Sequence, residues 1–95
     1  MTVIQIKHIE DCFDGSSVKE LLLSEAISSD LIHALGKTGD LQYFPHFARP
    51  FFKIRLHKKL DVKGIEGNDT LRIRLKAPIE VNLKNFIDSL TQLSQ

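Results

Sequence analysis

Basic side chains alternate with apolar residues in two stretches of the second half of the chain. They are Lys53, Arg55, His57 and Lys59 in the first stretch, and Arg72, Arg74 and Lys76 in the second. Because successive side chains of a β-strand point to opposite faces of a sheet, this spacing predicts one apolar and one cationic face. A cationic face attracts anionic surfaces and accelerates their association. We therefore expect these residues to bind an acidic protein partner, with nucleic acid as the second candidate.

The predicted pairing of the two stretches brings like charges together. A turn centred just before Gly67 sets Lys59 opposite Arg74. The same register sets His57 opposite Lys76. Like charges directly across two strands oppose folding by about 0.2–1 kcal/mol, a cost that an anionic partner would offset. The alternative is a solvated face, on which cations discourage aggregation and the protein's own carboxylates neutralise them. Such internal pairing would argue against a docking surface.

An aromatic cluster precedes and begins the first of these stretches. It consists of Tyr43, Phe44, His46, Phe47 and Phe51. Aromatic residues on both sides of a strand cannot all enter one core, so we expect some of them to line a groove or an oligomer interface. The alternative is that these aromatic residues belong to the core and to a small satellite cluster under a loop. Pro45 cannot donate a ladder hydrogen bond, which predicts that the strand at 41–47 lies at a sheet edge or is bulged at this point.

Charge is distributed unevenly along the chain, although the net charge is only +1. Residues 1–48 contain three Lys/Arg and seven Asp/Glu, a net charge of −4. Residues 49–95 contain ten Lys/Arg and five Asp/Glu, a net charge of +5. This asymmetry and the aromatic edge strand suggest a further hypothesis, a structural homo-oligomer such as a homodimer.

Motifs for catalysis and metal binding are missing from the sequence. The histidines and the single cysteine, Cys12, match no zinc-ligand spacing, and there is no GxSxG motif. Cys12 lies between Asp11 and Asp14, whose negative charge disfavours a nucleophilic thiolate. We therefore expect a non-catalytic module without a metal or other cofactor.

Composition indicates one globular domain over residues 1–95, with 42% hydrophobic and 26% charged residues. No segment approaches the ~20 apolar residues that a membrane-spanning helix needs, so we expect no membrane partner. A single cysteine is compatible with a reducing compartment, and we expect a cytoplasmic protein.

The elements that position these residues are expected in the order β-α-α-β-β-β-α. The first strand covers residues 2–8, and Ser17 with Glu20 forms a capping box at the start of the first helix. A second helix, or the second part of one kinked helix, ends at Gly36. The strands at 41–47 and 51–62 and around residue 73 follow, and an amphipathic helix comes last. This order predicts an α+β fold with a small antiparallel sheet and helices packed on one face.

Overall fold

The computed structural model describes residues 2–37, 39–56 and 60–93 of the chain. Six strands form one antiparallel sheet, and two helices accompany it. The strands are β1 (Val3–Asp11), β2 (Ser17–Leu23), β3 (Asp40–Phe44), β4 (Phe51–Leu56), β5 (Leu60–Ile65) and β6 (Thr70–Leu75). The helices are α1 (Ser29–Gly36) and α2 (Ile79–Leu93). The strands lie in the order β1-β2-β6-β5-β4-β3, and the predicted α+β class with an antiparallel sheet is confirmed.

One face of the sheet, the inner face, forms the core together with both helices. Alternate residues of the central strands are buried there, among them Phe52, Ile54 and Ile73. Ile32 from α1 and Phe86 from α2 pack into the same buried cluster. Full burial of each such side chain contributes about 1.5–3 kcal/mol, so the helices are fixed to this face by apolar contact.

The segment that begins with Ser17 is a strand, so the prediction of a helix there is wrong. β2 pairs with β1 on one side and with β6 on the other, which satisfies its backbone on both edges. Leu21 and Leu23 are buried on the inner face, whereas Leu22 between them is only half-buried. Two backbone ladders and period-two burial outweigh a local capping signal. Of the two helices predicted before Gly36, only the second exists, and the Ser28 hydroxyl caps its start.

Residues 51–62 form parts of two strands, so their prediction as one strand is also wrong. β4 and β5 pair with each other on either side of residues 57–59, which lie outside the described residues. The observed order is therefore β-β-α-β-β-β-β-α. The pairing of β5 with β6 also differs from the predicted register, because Asp61 lies opposite Arg74 and Lys63 lies opposite Arg72.

The turn between β5 and β6 explains this change of register. It is centred one residue later than predicted, after Gly67, whose positive φ of 90° favours glycine. The turn is attached to neighbouring segments, because the Gly67 amide donates to the Ile27 carbonyl and the Glu66 amide donates to the Pro50 carbonyl. A shift of the centre by one residue moves each cross-strand partner by two positions and leaves the side chains on the same face.

Both edges of the sheet are free among the described residues. β3 forms one edge, as Pro45 predicted, but the predicted strand at 41–47 is wrong at its end, because β3 stops at Phe44, directly before the proline. β1 forms the other edge. The cationic strands β4, β5 and β6 therefore lie inside the sheet, where both of their neighbours contribute side chains to the same surface.

Candidate binding face

The face of the sheet opposite the helices carries most of the sequence-predicted binding residues, and we call it the outer face. No described helix covers it. It surrounds a shallow concavity of about 650 Å³. Charged and polar residues from five strands line that concavity, namely Glu10, Asp40, Gln42, Lys53, Arg55, Asp61, Lys63, Arg72 and Arg74. These residues form two rows that run across the strands.

The first row alternates in sign across four neighbouring strands. Arg74, Asp61, Arg55 and Asp40 lie opposite one another in register from β6 to β3. The Nε atom of Arg55 lies 3.3 Å from Oδ1 of Asp61. Opposite charges directly across strands stabilise a sheet modestly. This row is therefore neutral overall, and its arginine at position 55 is already paired within the protein.

Arg74 fixes the turn between β1 and β2 to the outer face. Its Nη2 atom lies 3.0 Å from Oδ2 of Asp14, and its Nε donates to the hydroxyl of Ser16 at 3.1 Å. Oδ1 of Asp14 accepts hydrogen bonds from the hydroxyl and the amide of Ser16, at 2.6 and 3.0 Å. The hydrogen bonds from Ser16, and then the charge of Arg74, lower the pKa of Asp14.

The second row has an excess of positive charge. Glu20, Arg72, Lys63 and Lys53 lie opposite one another in register from β2 to β4. Nη2 of Arg72 lies 3.2 Å from Oε2 of Glu20. Lys53 and Lys63, which we call the lysine pair, are both exposed, and neither forms an ion pair with another described residue. Three cations in this row thus share one carboxylate.

Three phenylalanine rings lie on the outer face beside the lysine pair. Phe44, Phe47 and Phe51 form the phenylalanine cluster, in which the ring centroids are 4.7–5.7 Å apart and the rings are stacked. Phe44 pairs with Phe51 across β3 and β4, two residues along the strand from Lys53. Phe44 and Phe47 are 37% and 55% exposed, so the cluster presents apolar surface to solvent next to uncompensated charge.

Tyr43 lies apart from this cluster, on the inner face. Its ring packs against the buried core and meets His33 edge to face, at 5.6 Å between centroids. Its hydroxyl donates a hydrogen bond to the Glu66 carboxylate, which is the main reason that the pKa of Tyr43 is raised. His46 is exposed in the connection between β3 and β4. The predicted groove therefore divides, with three phenylalanines on one face and Tyr43 on the other.

The remaining sequence-predicted binding residues are Lys76, His57 and Lys59. Lys76 is exposed directly after β6, and its carbonyl accepts a hydrogen bond from the Asn82 side chain at 2.7 Å. His57 and Lys59 lie outside the described residues. The sequence interpretation missed Lys63, because it ended the preceding strand at Val62. The alternation continues from Val62 to Lys63, and this signal could have identified it.

Two further findings concern possible metal ligands and membrane-spanning helices in the part of the chain that the structure describes. Within that part, no group of three or more His, Cys, Asp or Glu side chains is placed to hold a metal ion. Over the same residues, the helices are too short or too polar to cross a bilayer.

Comparisons with known proteins give no assignment. No family model matches the chain, and neither a curated protein nor a solved structure matches it. The functional interpretation therefore depends on the geometry of the outer face.

Proposed function

We propose that this protein is a small, non-catalytic binding or assembly module whose outer face engages an acidic protein partner. One observation carries the proposal: Lys53 and Lys63 lie directly opposite each other, and no described carboxylate pairs with either. A cytoplasmic location is part of the proposal, because a lone cysteine such as Cys12 suits a reducing compartment.

The proposal narrows the set of residues that would contact the partner. Arg55, Arg72 and Arg74 each form an ion pair with a carboxylate of the protein itself, which argues against their use as the main docking contacts. The lysine pair remains as the uncompensated charge. Neighbouring strands are about 4.8 Å apart, so one carboxylate of a partner can approach both ammonium groups. Such a contact replaces local repulsion by attraction.

The phenylalanine cluster supports a protein partner in a second way. Exposed aromatic side chains bury a large area on association and are enriched among the residues that dominate interface energies. Phe47 is the most exposed ring of the cluster. A partner that combines carboxylates with an apolar side chain would therefore match both features of this corner of the face.

A single-stranded nucleic acid is the second candidate, and the same cluster favours it. Bases stack on aromatic rings, and phosphates pair with lysine, in proteins that bind single strands. Stacked and half-exposed rings beside Lys53 and Lys63 provide both elements. We rank this candidate second because the three rings already stack on one another, which leaves less ring surface for bases.

A nuclear magnetic resonance titration with two probes tests the proposal. The probes are a glutamate-rich peptide and a single-stranded oligonucleotide of equal net charge. We expect the peptide to shift the amide resonances around the lysine pair, and to do so less at higher salt. Lys53→Glu and Lys63→Glu should remove the shifts, whereas Lys84→Glu, on the exposed side of α2, should preserve them.

Two outcomes would overturn this assignment. If the peptide shifts no resonance on the outer face, or if Lys84→Glu weakens binding as much as Lys53→Glu, the lysine pair is not the docking contact. If only the oligonucleotide binds, the nucleic-acid candidate replaces the acidic protein.

A further inference from the structure

The corner of the outer face at the turn between β1 and β2 has features opposite to those of the lysine pair. Glu10 lines the outer concavity and forms no ion pair with another described residue. Phe13, at the tip of the turn, is fully exposed. The bond from Asp14 to Arg74 fixes this turn against β6. We call Glu10 and Phe13 the acidic corner, because an unpaired carboxylate near the end of β1 is followed by an exposed aromatic ring in the turn.

The cationic corner, formed by the lysine pair and the phenylalanine cluster, lies diagonally opposite. The strand order places Glu10 on one edge strand and Phe44 on the other. Along the strands, Glu10 is level with Arg74, because both residues lie opposite Val18 of β2. Phe51 lies beyond the second row, on the side away from Arg74. The acidic and cationic corners are therefore separated along both directions of the sheet.

We infer that the acidic protein partner of the outer face is a second copy of this chain. The inference rests on the proposed function of the lysine pair. Consider two copies whose outer faces meet, related by a twofold axis that lies between the faces and is perpendicular to the line joining the two corners. This axis brings the acidic corner of each copy onto the cationic corner of the other. Glu10 of one copy then faces the lysine pair of the second, and Phe13 meets the phenylalanine cluster. By symmetry each contact is made twice.

The two halves of the sheet also differ in net charge along the sequence. Residues 3–23, which form β1 and β2, contain two lysines and four acidic residues, a net charge of −2. Residues 51–75, which contain β4, β5 and β6, have seven Lys/Arg and three Asp/Glu, a net charge of +4. Asp14 and Glu20 already pair with Arg74 and Arg72 of the same copy, so the charge left for a second copy is Glu10 against the lysine pair. Opposed pairing places these unlike charges together and favours this orientation at low salt.

The size of the outer face fits a weak and reversible dimer. Six strands about 4.8 Å apart and roughly 20 Å long give a face of roughly 500 Å² per copy, or roughly 1,000 Å² buried in total. This area is at the lower limit of specific interfaces. The dimer should therefore depend strongly on protein concentration and on ionic strength.

Sedimentation velocity over a series of protein concentrations, at low and high salt, tests the inference. We expect a reversible monomer–dimer equilibrium that shifts towards monomer at high salt. Glu10→Lys or Lys53→Glu alone should weaken dimerisation roughly tenfold, since each reverses a contact that occurs twice. Phe13→Ala should weaken it by a similar factor, because it removes an aromatic anchor. Lys84→Glu is the matched control and should dimerise as the unmodified chain does.

Exchanging the charges of Glu10 and Lys53 distinguishes a lost contact from a folding defect, because only a lost contact can be restored in this way. The double variant Glu10→Lys/Lys53→Glu should dimerise again, and an equimolar mixture of the two single variants should form a mixed dimer. Each single variant should give the circular dichroism spectrum of the unmodified chain. A strictly monomeric chain at low salt and high concentration, or dimerisation that survives Glu10→Lys, Lys53→Glu and Phe13→Ala, would overturn the inference.

The same variants separate this inference from the proposed function. Glu10→Lys and Phe13→Ala leave the lysine pair and the phenylalanine cluster unchanged, so both variants should still bind the glutamate-rich peptide. Peptide binding by a strictly monomeric chain would overturn the second copy as partner and retain the acidic partner. Failure of the peptide to bind any variant would overturn the proposed function itself.

Discussion

Lys53 lies directly opposite Lys63 across the β4–β5 ladder, and both side chains are exposed on the face of the sheet that the helices do not cover. The next position in the same row is a third cation, Arg72, which Glu20 neutralises. The protein thus contains a cross-strand arrangement that opposes its own folding. The proposed docking function depends on this arrangement, because an anionic partner would relieve the repulsion.

Removal of the like-charge contact should stabilise the protein. We expect Lys63→Glu to raise the free energy of unfolding by about 0.5–1 kcal/mol at low salt, because the new carboxylate lies between Lys53 and Arg72. Urea denaturation measures this change. The gain should shrink as salt is added, whereas Lys84→Glu should lower stability, because it adds a third carboxylate at i, i+4 spacing between Glu80 and Asp88. A Lys63→Glu variant less stable than the unmodified chain would contradict the repulsion.

Asp14 should make the stability of the β1–β2 turn dependent on pH. Its pKa is lowered from the ordinary value of 3.8, mainly by the Ser16 hydroxyl, so its ionised form is favoured in the folded state. The stabilisation is therefore fully present above the unfolded pKa and is lost as the pH falls through the lower, folded pKa. Urea denaturation across this acidic range should show that Asp14→Asn removes the corresponding part of the pH dependence.

The control for this experiment is Asp88→Asn, which changes an exposed carboxylate on α2. It removes one carboxylate without changing the β1–β2 turn, so a difference between the acid limbs of the two variants assigns the effect to that turn. Ser16→Ala should act in the same direction as Asp14→Asn, since it removes the largest cause of the lowered pKa. Equal acid limbs for the unmodified chain and Asp14→Asn would be incompatible with the hydrogen bonds seen at this turn.

Tyr43 should titrate above the ordinary tyrosine pKa of 10.0, because its hydroxyl donates to the Glu66 carboxylate. Tyr43 is the only tyrosine and the chain has no tryptophan, so near-ultraviolet absorbance follows this one phenol directly. A raised folded pKa gives stability that is present below the unfolded pKa and is lost as the pH rises through the folded pKa. Glu66→Gln should move the titration back towards 10.0. A titration unaffected by Glu66→Gln would exclude the hydrogen bond.

The strand assignment of β2 leads to a comparison of adjacent leucines. Leu21 is fully buried on the inner face, so Leu21→Ala should cost about 2–5 kcal/mol of stability. Leu22 is half-buried on the other side of the strand, and Leu22→Ala should cost clearly less. Chemical denaturation of the two variants measures the difference. Equal costs would contradict period-two burial in this segment.

The sequence predicted the elements whose signals are local. Alternation in β4 and β6 identified which side chains face the core and which face outward. Glycine marked the end of α1 correctly, and Pro45 indicated that β3 lies at a sheet edge, although the strand ends at Phe44 and not at residue 47. In each case the deciding interaction lies within a few residues along the chain, so a single sequence contains the information.

Features that depend on distant partners could not be predicted in the same way. Ser17 and Glu20 satisfy a helix-capping pattern, yet the ladders with β1 and β6 determine the conformation of that segment. The internal neutralisation of Arg55 and Arg74 by Asp61 and Asp14 depends on the register and on the β1–β2 turn. Both follow from long-range pairing, which local propensity does not specify.

The most direct test of the lysine pair as a docking site is the affinity of a labelled glutamate-rich peptide, followed by fluorescence anisotropy as salt is varied. We expect Lys53→Glu/Lys63→Glu to remove binding, while Lys84→Glu retains both the affinity and its decline with salt. Equal affinities for these two variants, or an affinity of the unmodified chain that does not change with salt, would contradict the central claim.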